Sequence, residues 1–263
     1  MSTVPLLELQ HLSGGYEPVQ IFRDVDLVIA HGTSTGLFGP NGHGKTTLLR
    51  TVSGVIDPWS GNILFEGKQL NRPGERGRRR SRNLNYDVFT RRRMNPKNVA
   101  RAGLIHVAQG NLLYRELTVR ETLGIAPIAA RGRGEPGDLT EKALRLFPRL
   151  SERMNQKVRF LSGGERQMLS VACGLIAAPR LLILDEPTLG LSPKLRRELA
   201  DAIQAIKADG VPLIIVDQDV DFLKSLIETL YLFDHGRISG RIERADMPSH
   251  EEIMRMLFGE VHS

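Results

Sequence analysis

"STGLFGPNGHGKTTLLRTVSGV", residues 34–55, changes character twice. It opens as a short apolar strand, passes through a glycine-rich loop, and ends with the 3.6-residue period of a helix. The loop, "GPNGHGKT" (39–46), satisfies G-x-x-x-x-G-K-[ST] in the context that gives the pattern meaning, strand before and helix after. Gly39, Gly42 and Gly44 let backbone N–H groups turn inward around phosphate oxygens, and the start of the following helix adds its dipole. Pro40, Asn41 and His43 fill free positions of the loop; His43 is counted with it and assigned no role of its own. Lys45 then reaches the β and γ phosphates, and Thr46, followed by Thr47, offers a hydroxyl to Mg2+. A chance glycine-rich turn would lack the flanking elements.

A second apolar run, "RLLILDEP" (180–187), delivers Asp185 to the end of a strand, where it can hold Mg2+ through water. Glu186 follows, placed to orient and polarise an attacking water. Beside a phosphate loop, the acidic pair is more than the end of a strand. "FLSGGERQ" (160–167) is a further helix start with anion-binding character and no lysine. Ser162 and Glu165 have the spacing of a capping box. One nucleotide does not need helix starts from two distant parts of one chain, whereas two facing chains can each close over the other's ATP through Ser162, Gly163, Gly164 and Glu165.

Around these motifs, "LLELQHLSGGY" (6–16) and "IFRDVDLVIA" (21–30) alternate as half-buried antiparallel strands, and "GNILFEGKQL" (61–70) reads as part of a small hairpin. "GLIHVAQ" (103–109) resumes strand character, and Thr118 to Ala177 is mostly helical, punctuated by Pro136, Gly137 and Pro148. "VPLIIVDQD" (211–219) is apolar and β-branched like "RLLILDEP", as in parallel strands covered on both faces. Between them "SPKLRRELADAIQAIKADG" (192–210) is a helix closed by Gly210, which makes a βαβ crossover. "YLFDHGRISG" (231–240) predicts a terminal hairpin and "SHEEIMRMLFG" (249–259) a short helix. The fold class is α/β: a phosphate-loop core with a mainly parallel sheet.

The 263 residues are 41% hydrophobic, enough for one large α/β domain or for one domain with a small appended lobe. Cys173, the single cysteine, excludes an intramolecular disulfide and reads as core packing. "MSTVPLLELQ" does not read as a signal peptide, and the longest uncharged run, "QMLSVACGLIAAP" (167–179), falls well short of the roughly 20 residues that span a bilayer. Charge is concentrated: residues 72–93 hold nine arginines and two acids, net +7 in a chain of +6. A nucleic-acid binder would spread its basic residues over a face, so no nucleic-acid partner is expected. The segment reads as a solvated loop, or as a contact with anionic headgroups. Trp59 reads as a packing residue at a turn, and the histidines outside the phosphate loop show no metal-ligand spacing.

Taken in order, the phosphate loop, "VAQGN", "LSGGE", "LLILDEP" and "IIVDQD" resemble the ATP-binding-cassette (ABC) ATPases over nearly the whole chain. The resemblance implies a single domain over 1–263 with an N-terminal antiparallel β subdomain and a helical subdomain at about 110–178 that carries "LSGGE". It places Tyr16 on the adenine ring and brings Gln109 to Mg2+ and water. "LFPRLSERMNQKVRFLSGGERQML" and "LDEPTLGLSPKL" resemble more narrowly the ATPase subunits of branched-chain amino-acid importers and their relatives for similar small solutes. This narrower resemblance implies a peripheral subunit on the cytoplasmic face of the membrane, paired with a second, different ATPase under two transmembrane permease subunits. An extracytoplasmic solute-binding protein serves them indirectly. Two departures stand out: Gln218 occupies the position where most of the family has a histidine contacting the γ-phosphate, and about 72–98 is an insertion, at the edge that the resemblance turns toward a membrane subunit. The alternative is a soluble ABC ATPase that drives no transport, such as that of an iron–sulfur cluster assembly scaffold.

Overall fold

The computed structural model describes residues 4–71, 94–110, 112–129 and 133–258. The arginine segment therefore lies outside the described residues, except for the end of the proposed insertion. In chain order the elements are β1 (Leu7–Tyr16), β2 (Val19–Ile29), β3 (Ser34–Phe38), α1 (Lys45–Val52), β4 (Ser60–Phe65), β5 (Lys68–Gln69), α2 (Pro96–Ala102) and β6 (Leu104–Val107). Next come α3 (Val119–Ile125), α4 (Pro136–Leu146), α5 (Pro148–Ser151), α6 (Gly163–Ile176), β7 (Leu181–Asp185) and α7 (Pro193–Ala208). The chain ends with β8 (Leu213–Val216), α8 (Val220–Leu226), β9 (Thr229–Asp234), β10 (Arg237–Glu243) and α9 (His250–Phe258).

Two sheets form. β2-β1-β4-β5 is antiparallel throughout, whereas β10-β9-β3-β8-β7-β6 is parallel apart from its β10 edge. The strands of the parallel sheet are apolar on both sides because each side packs on a different core. Leu181 and Ile183 of β7 join Leu7, Phe22, Leu48 and Phe65 beneath the antiparallel sheet. Leu182 and Leu184, the alternate residues, pack with Leu169, Leu199 and Leu223 from α6, α7 and α8.

The punctuation within the helical region marks helix starts. Thr118 caps α3 with Glu121 completing the box, and Pro136 and Pro148 open α4 and α5, where a missing N–H costs nothing. Gly210 (φ 78) ends α7 as expected. Two helices carry no apolar period long enough to announce them: α2, capped by Asn95 and begun by Pro96, and α8, capped by Asp219. α2 starts within the proposed insertion, so residues 96–98 belong to a regular element.

Candidate functional site

β3 runs straight into the phosphate loop. At Gly39 a Cβ would lie 1.9 Å from the Phe233 carbonyl oxygen, so no larger residue fits. Gly42 (φ 80) and Gly44 (φ 104) take the left-handed backbone that turns the loop, and α1 starts at once with Lys45. The Lys45 ammonium is buried, donating to the carbonyls of Gly39 (2.7 Å) and Pro40 (2.9 Å). Burial holds its pKa below the usual lysine range, against the pull of Glu186, Asp185 and Asp217. Thr47 is buried behind the loop, while Asn41 and Gly42 face solvent.

Parallel pairing sets β8 beside β3 and β7 beyond it, and their carboxyl ends bring the acidic residues to the loop. The Thr46 hydroxyl donates to Asp185 Oδ1 at 3.3 Å. Asp185 is 1% exposed, and its other oxygen, Oδ2, is buried with no hydrogen-bond partner. Burial pushes its carboxyl up to about 6, the neighbouring Glu186 adding to the shift while Thr46 and Lys45 oppose it. A hydroxyl beside an unsatisfied carboxylate oxygen is a hard oxygen pair that fits Mg2+. His106 on β6 approaches from behind: its Nε2, also unpartnered, lies 4.0 Å from Asp185 Oδ2, and its Nδ1 lies 3.0 Å from Ser53 Oγ. Burial, with Arg50 nearby, lowers His106 to about 4, so the ring is neutral.

Glu186 turns out of the strand in left-handed backbone (φ 48), tied by its N–H to Val216 O at 2.7 Å. Both oxygens of its carboxylate are held: Gln109 Nε2 donates to Oε2 at 2.6 Å and Gln218 Nε2 to Oε1 at 3.1 Å. A cavity of about 360 Å3 opens beside it, lined by Thr188, Arg196, Gln218 and Asp219 among others. Asp217 organises this side. Its buried carboxylate accepts from the Thr188 hydroxyl (2.8 Å) and from the N–H groups of Gln218 (2.8 Å) and Asp219 (3.0 Å). Asp217 lies within "IIVDQD" but that motif gives it no role of its own, and His106 lies outside the motifs; the signal for both is their place at or near the ends of core strands.

The remaining expected residues lie around this centre. Tyr16 ends β1 half exposed, its hydroxyl accepting from Arg50 on α1 at 3.1 Å. Ser162 and Gly163 are exposed at the start of α6. The capping box is complete, with Glu165 N–H on the Ser162 hydroxyl (3.2 Å) and Ser162 N–H on the Glu165 carboxylate (2.8 Å). Gly164 is buried there, where a Cβ would lie 2.4 Å from Leu195 Cδ1. These hydrogen bonds stay within the first turn of α6, apart from the cluster around Lys45 and Glu186.

A phosphate loop, a hydroxyl–carboxylate pair and a clasped glutamate at one edge of a parallel sheet define a nucleoside-triphosphate hydrolase of the phosphate-loop class. The ABC transporter family profile matches residues 22–189. The high-affinity branched-chain amino acid transport ATP-binding protein BraG of Pseudomonas aeruginosa is 31% identical over 89% of this chain and 91% of its own. The probable branched-chain amino acid transport ATP-binding protein LivF of Archaeoglobus fulgidus is 30% identical over 97% and 100%. Among solved structures, an ATP binding subunit of an ABC transporter superposes with a TM-score of 0.77 at 25% identity, covering 95% of this chain and 98% of that one. The chain belongs to the ABC transporter family, as an ATP-binding, ATP-hydrolysing subunit.

Proposed function

We propose that this chain powers an importer for branched-chain amino acids or related small solutes. The names of its relatives support that solute class. The observation that carries the catalytic part is the Glu186 carboxylate held at both oxygens beside the phosphate loop.

In this reading the loop from Gly39 to Thr47 cradles the ATP phosphates with its N–H groups, and Lys45 leaves its loop carbonyls to bind them. Tyr16 stacks on the adenine. Thr46, Asp185 through water, and Gln109 would hold Mg2+, which when bound neutralises charge on the β and γ phosphates. Glu186 orients the attacking water, with Gln109 and Gln218 fixing its two oxygens. Ser162, Gly163, Gly164 and Glu165 serve the nucleotide of a second, different ATPase chain, whose equivalent segment closes over this one. Closure shifts Gln109 and carries motion to two transmembrane permease subunits, with an extracytoplasmic solute-binding protein delivering cargo. Among the described residues no helix is long and apolar enough to cross a membrane, which fits a peripheral place on the cytoplasmic face.

The test is to extract membranes in mild detergent, capture a tagged copy and identify what comes with it. Two polytopic proteins and a second cassette are expected. A soluble scaffold, such as one for iron–sulfur cluster assembly, would overturn the transport assignment and leave the ATPase site standing.

A further inference from the structure

His43 fills a free position of the phosphate loop, and His235 lies 192 residues further on, so no local spacing joins them. The sheet does. β9 pairs in parallel with β3, Phe38 opposite Leu232, so both strands end side by side. β3 continues into the phosphate loop, and β9 turns into β10 through His235 (φ 43) and Gly236 (φ 74), a two-residue hairpin left-handed at both positions. The approach is close: a Cβ on Gly236 would meet Ile21 O at 2.3 Å.

Three metal-ligating side chains meet there. His43 Nδ1 lies 2.9 Å from Asp234 Oδ1, and His235 Nδ1 lies 2.8 Å from the same oxygen. The two rings are 4.4 Å apart, and one ligand atom from each residue lies within 4.8 Å of the others. The side chains of His43 and Asp234 are 23% and 27% exposed while that of His235 is 82% exposed, so the cluster is walled on one side and open on the other. His43 Nδ1 also faces the His235 N–H at 3.2 Å. One proton cannot serve both neighbours: with it, the ring nitrogen cannot accept from the amide; without it, a lone pair faces the Asp234 oxygen. Burial pushes the Asp234 carboxyl up, but hydrogen bonds from His235 and His43 outweigh this and leave it below the usual carboxylate range.

We infer that His43, Asp234 and His235 form a site for a divalent transition-metal ion of the zinc class, which clips the phosphate loop to the β9–β10 turn. Two imidazole nitrogens and one carboxylate oxygen suit zinc, nickel or copper, not the all-oxygen shell that Mg2+ prefers. Bond lengths of about 2.0–2.1 Å place tetrahedral donors about 3.3 Å apart, so each histidine nitrogen would move only a few tenths of an ångström away from the shared Asp234 oxygen, with water completing the tetrahedron. The site shares no residue with the Thr46–Asp185 pair. A second cluster, His11 with Asp24 and Asp26, is exposed at all three residues and serves as an internal control.

The experiment titrates the EDTA-stripped, tag-free, nucleotide-free chain with zinc chloride by calorimetry, with Co2+ absorption as a check on tetrahedral geometry. One tight ion per chain is expected, weakened at least about tenfold in His43→Ala and in His235→Gln and unchanged in His11→Ala. The open His235 side chain makes its replacement a test without loss of fold, which thermal melts in the absence of metal would verify. Equal zinc affinity in the wild type and both cluster variants would overturn the site, as would a loss confined to His11→Ala or no tight ion in the wild type. Because no ATP is present, failure here is distinct from failure of the proposed transport function.

Discussion

Glu186 occupies backbone that an L-residue enters at a cost of about 1–2 kcal/mol, yet it is held there by the Val216 carbonyl and by two glutamine amides. Strain kept in place by its surroundings has its natural use at a site where one carboxylate must keep one aim. Glu186→Gln keeps the shape and removes the carboxylate proposed to polarise the attacking water, so ATP affinity should stay within about threefold while turnover falls by at least about 10²-fold. Radiolabelled ATP binding and phosphate release measure the two; wild-type turnover in the variant would remove Glu186 from the role. Gln218 raises the opposite question. An amide can donate one hydrogen bond to phosphate but carries no positive charge. Gln218→His should therefore raise the ATPase rate of the assembled transporter, most below the imidazole's pKa, and equal rates for the two proteins would sink the idea. Glu186 was legible in the sequence because "LLILDEP" is local. The clasp from Gln109 and Gln218 was not, because residues 77 and 32 positions away meet it only through strand order.

At the scale of the element, α6 shows why some signals are readable and others not. Its start is written in four consecutive residues, Ser162 to Glu165, and the capping box forms as spaced. Ser162→Ala should cost about 1 kcal/mol in urea unfolding through loss of the cap. If it lowers turnover in the assembled transporter by more than that stability change explains, the exposed hydroxyl also serves the opposing nucleotide; if turnover follows stability alone, it is only a cap. The other side of α6 depends on distant partners that no local pattern specifies: a Cβ on Gly174 would lie 2.6 Å from Val107 on β6. Cys173 is its neighbour, half-buried, its thiol 3.9 Å from the Thr122 carbonyl. Burial pushes that thiol up to about 12 from an ordinary value of 9.0. The native state thus keeps a proton that the unfolded chain releases, and the stability from this group is lost as pH rises above 9. Relative to Cys173→Ala, the wild type should lose about 1 kcal/mol of unfolding free energy between pH 8 and pH 10. Parallel pH profiles would refute the buried thiol.

Across the whole molecule, the fold closes on either side of the arginine segment. Asn71 is 2% exposed, accepting from the Ile63 N–H at 2.6 Å and donating to Gly61 O at 2.9 Å. Met94 is 6% exposed and its N–H binds Asp57 Oδ1 at 2.8 Å. Both anchors belong to the core beneath the antiparallel sheet or to its edge. The architecture was legible without that segment because alternation, apolar runs and capping residues lie outside it. Its charge is a separate property: removing its net +7 from +6 leaves −1 for the rest of the chain. Replacing 72–93 with an uncharged Gly-Ser linker of equal length should therefore leave the unfolding free energy within about 1 kcal/mol of wild type, since loop-closure entropy depends mainly on length. ATP affinity should be unchanged as well. Retention on heparin or on phosphatidylserine vesicles, which long-range attraction governs at low salt, should disappear. A large loss of stability would make the segment part of the fold, and a variant still retained would place the attractive surface elsewhere on the molecule. Loss of retention with stability and ATP binding intact would separate two layers of the chain: an ATPase complete in its own core, and a charged addition that acts only outward.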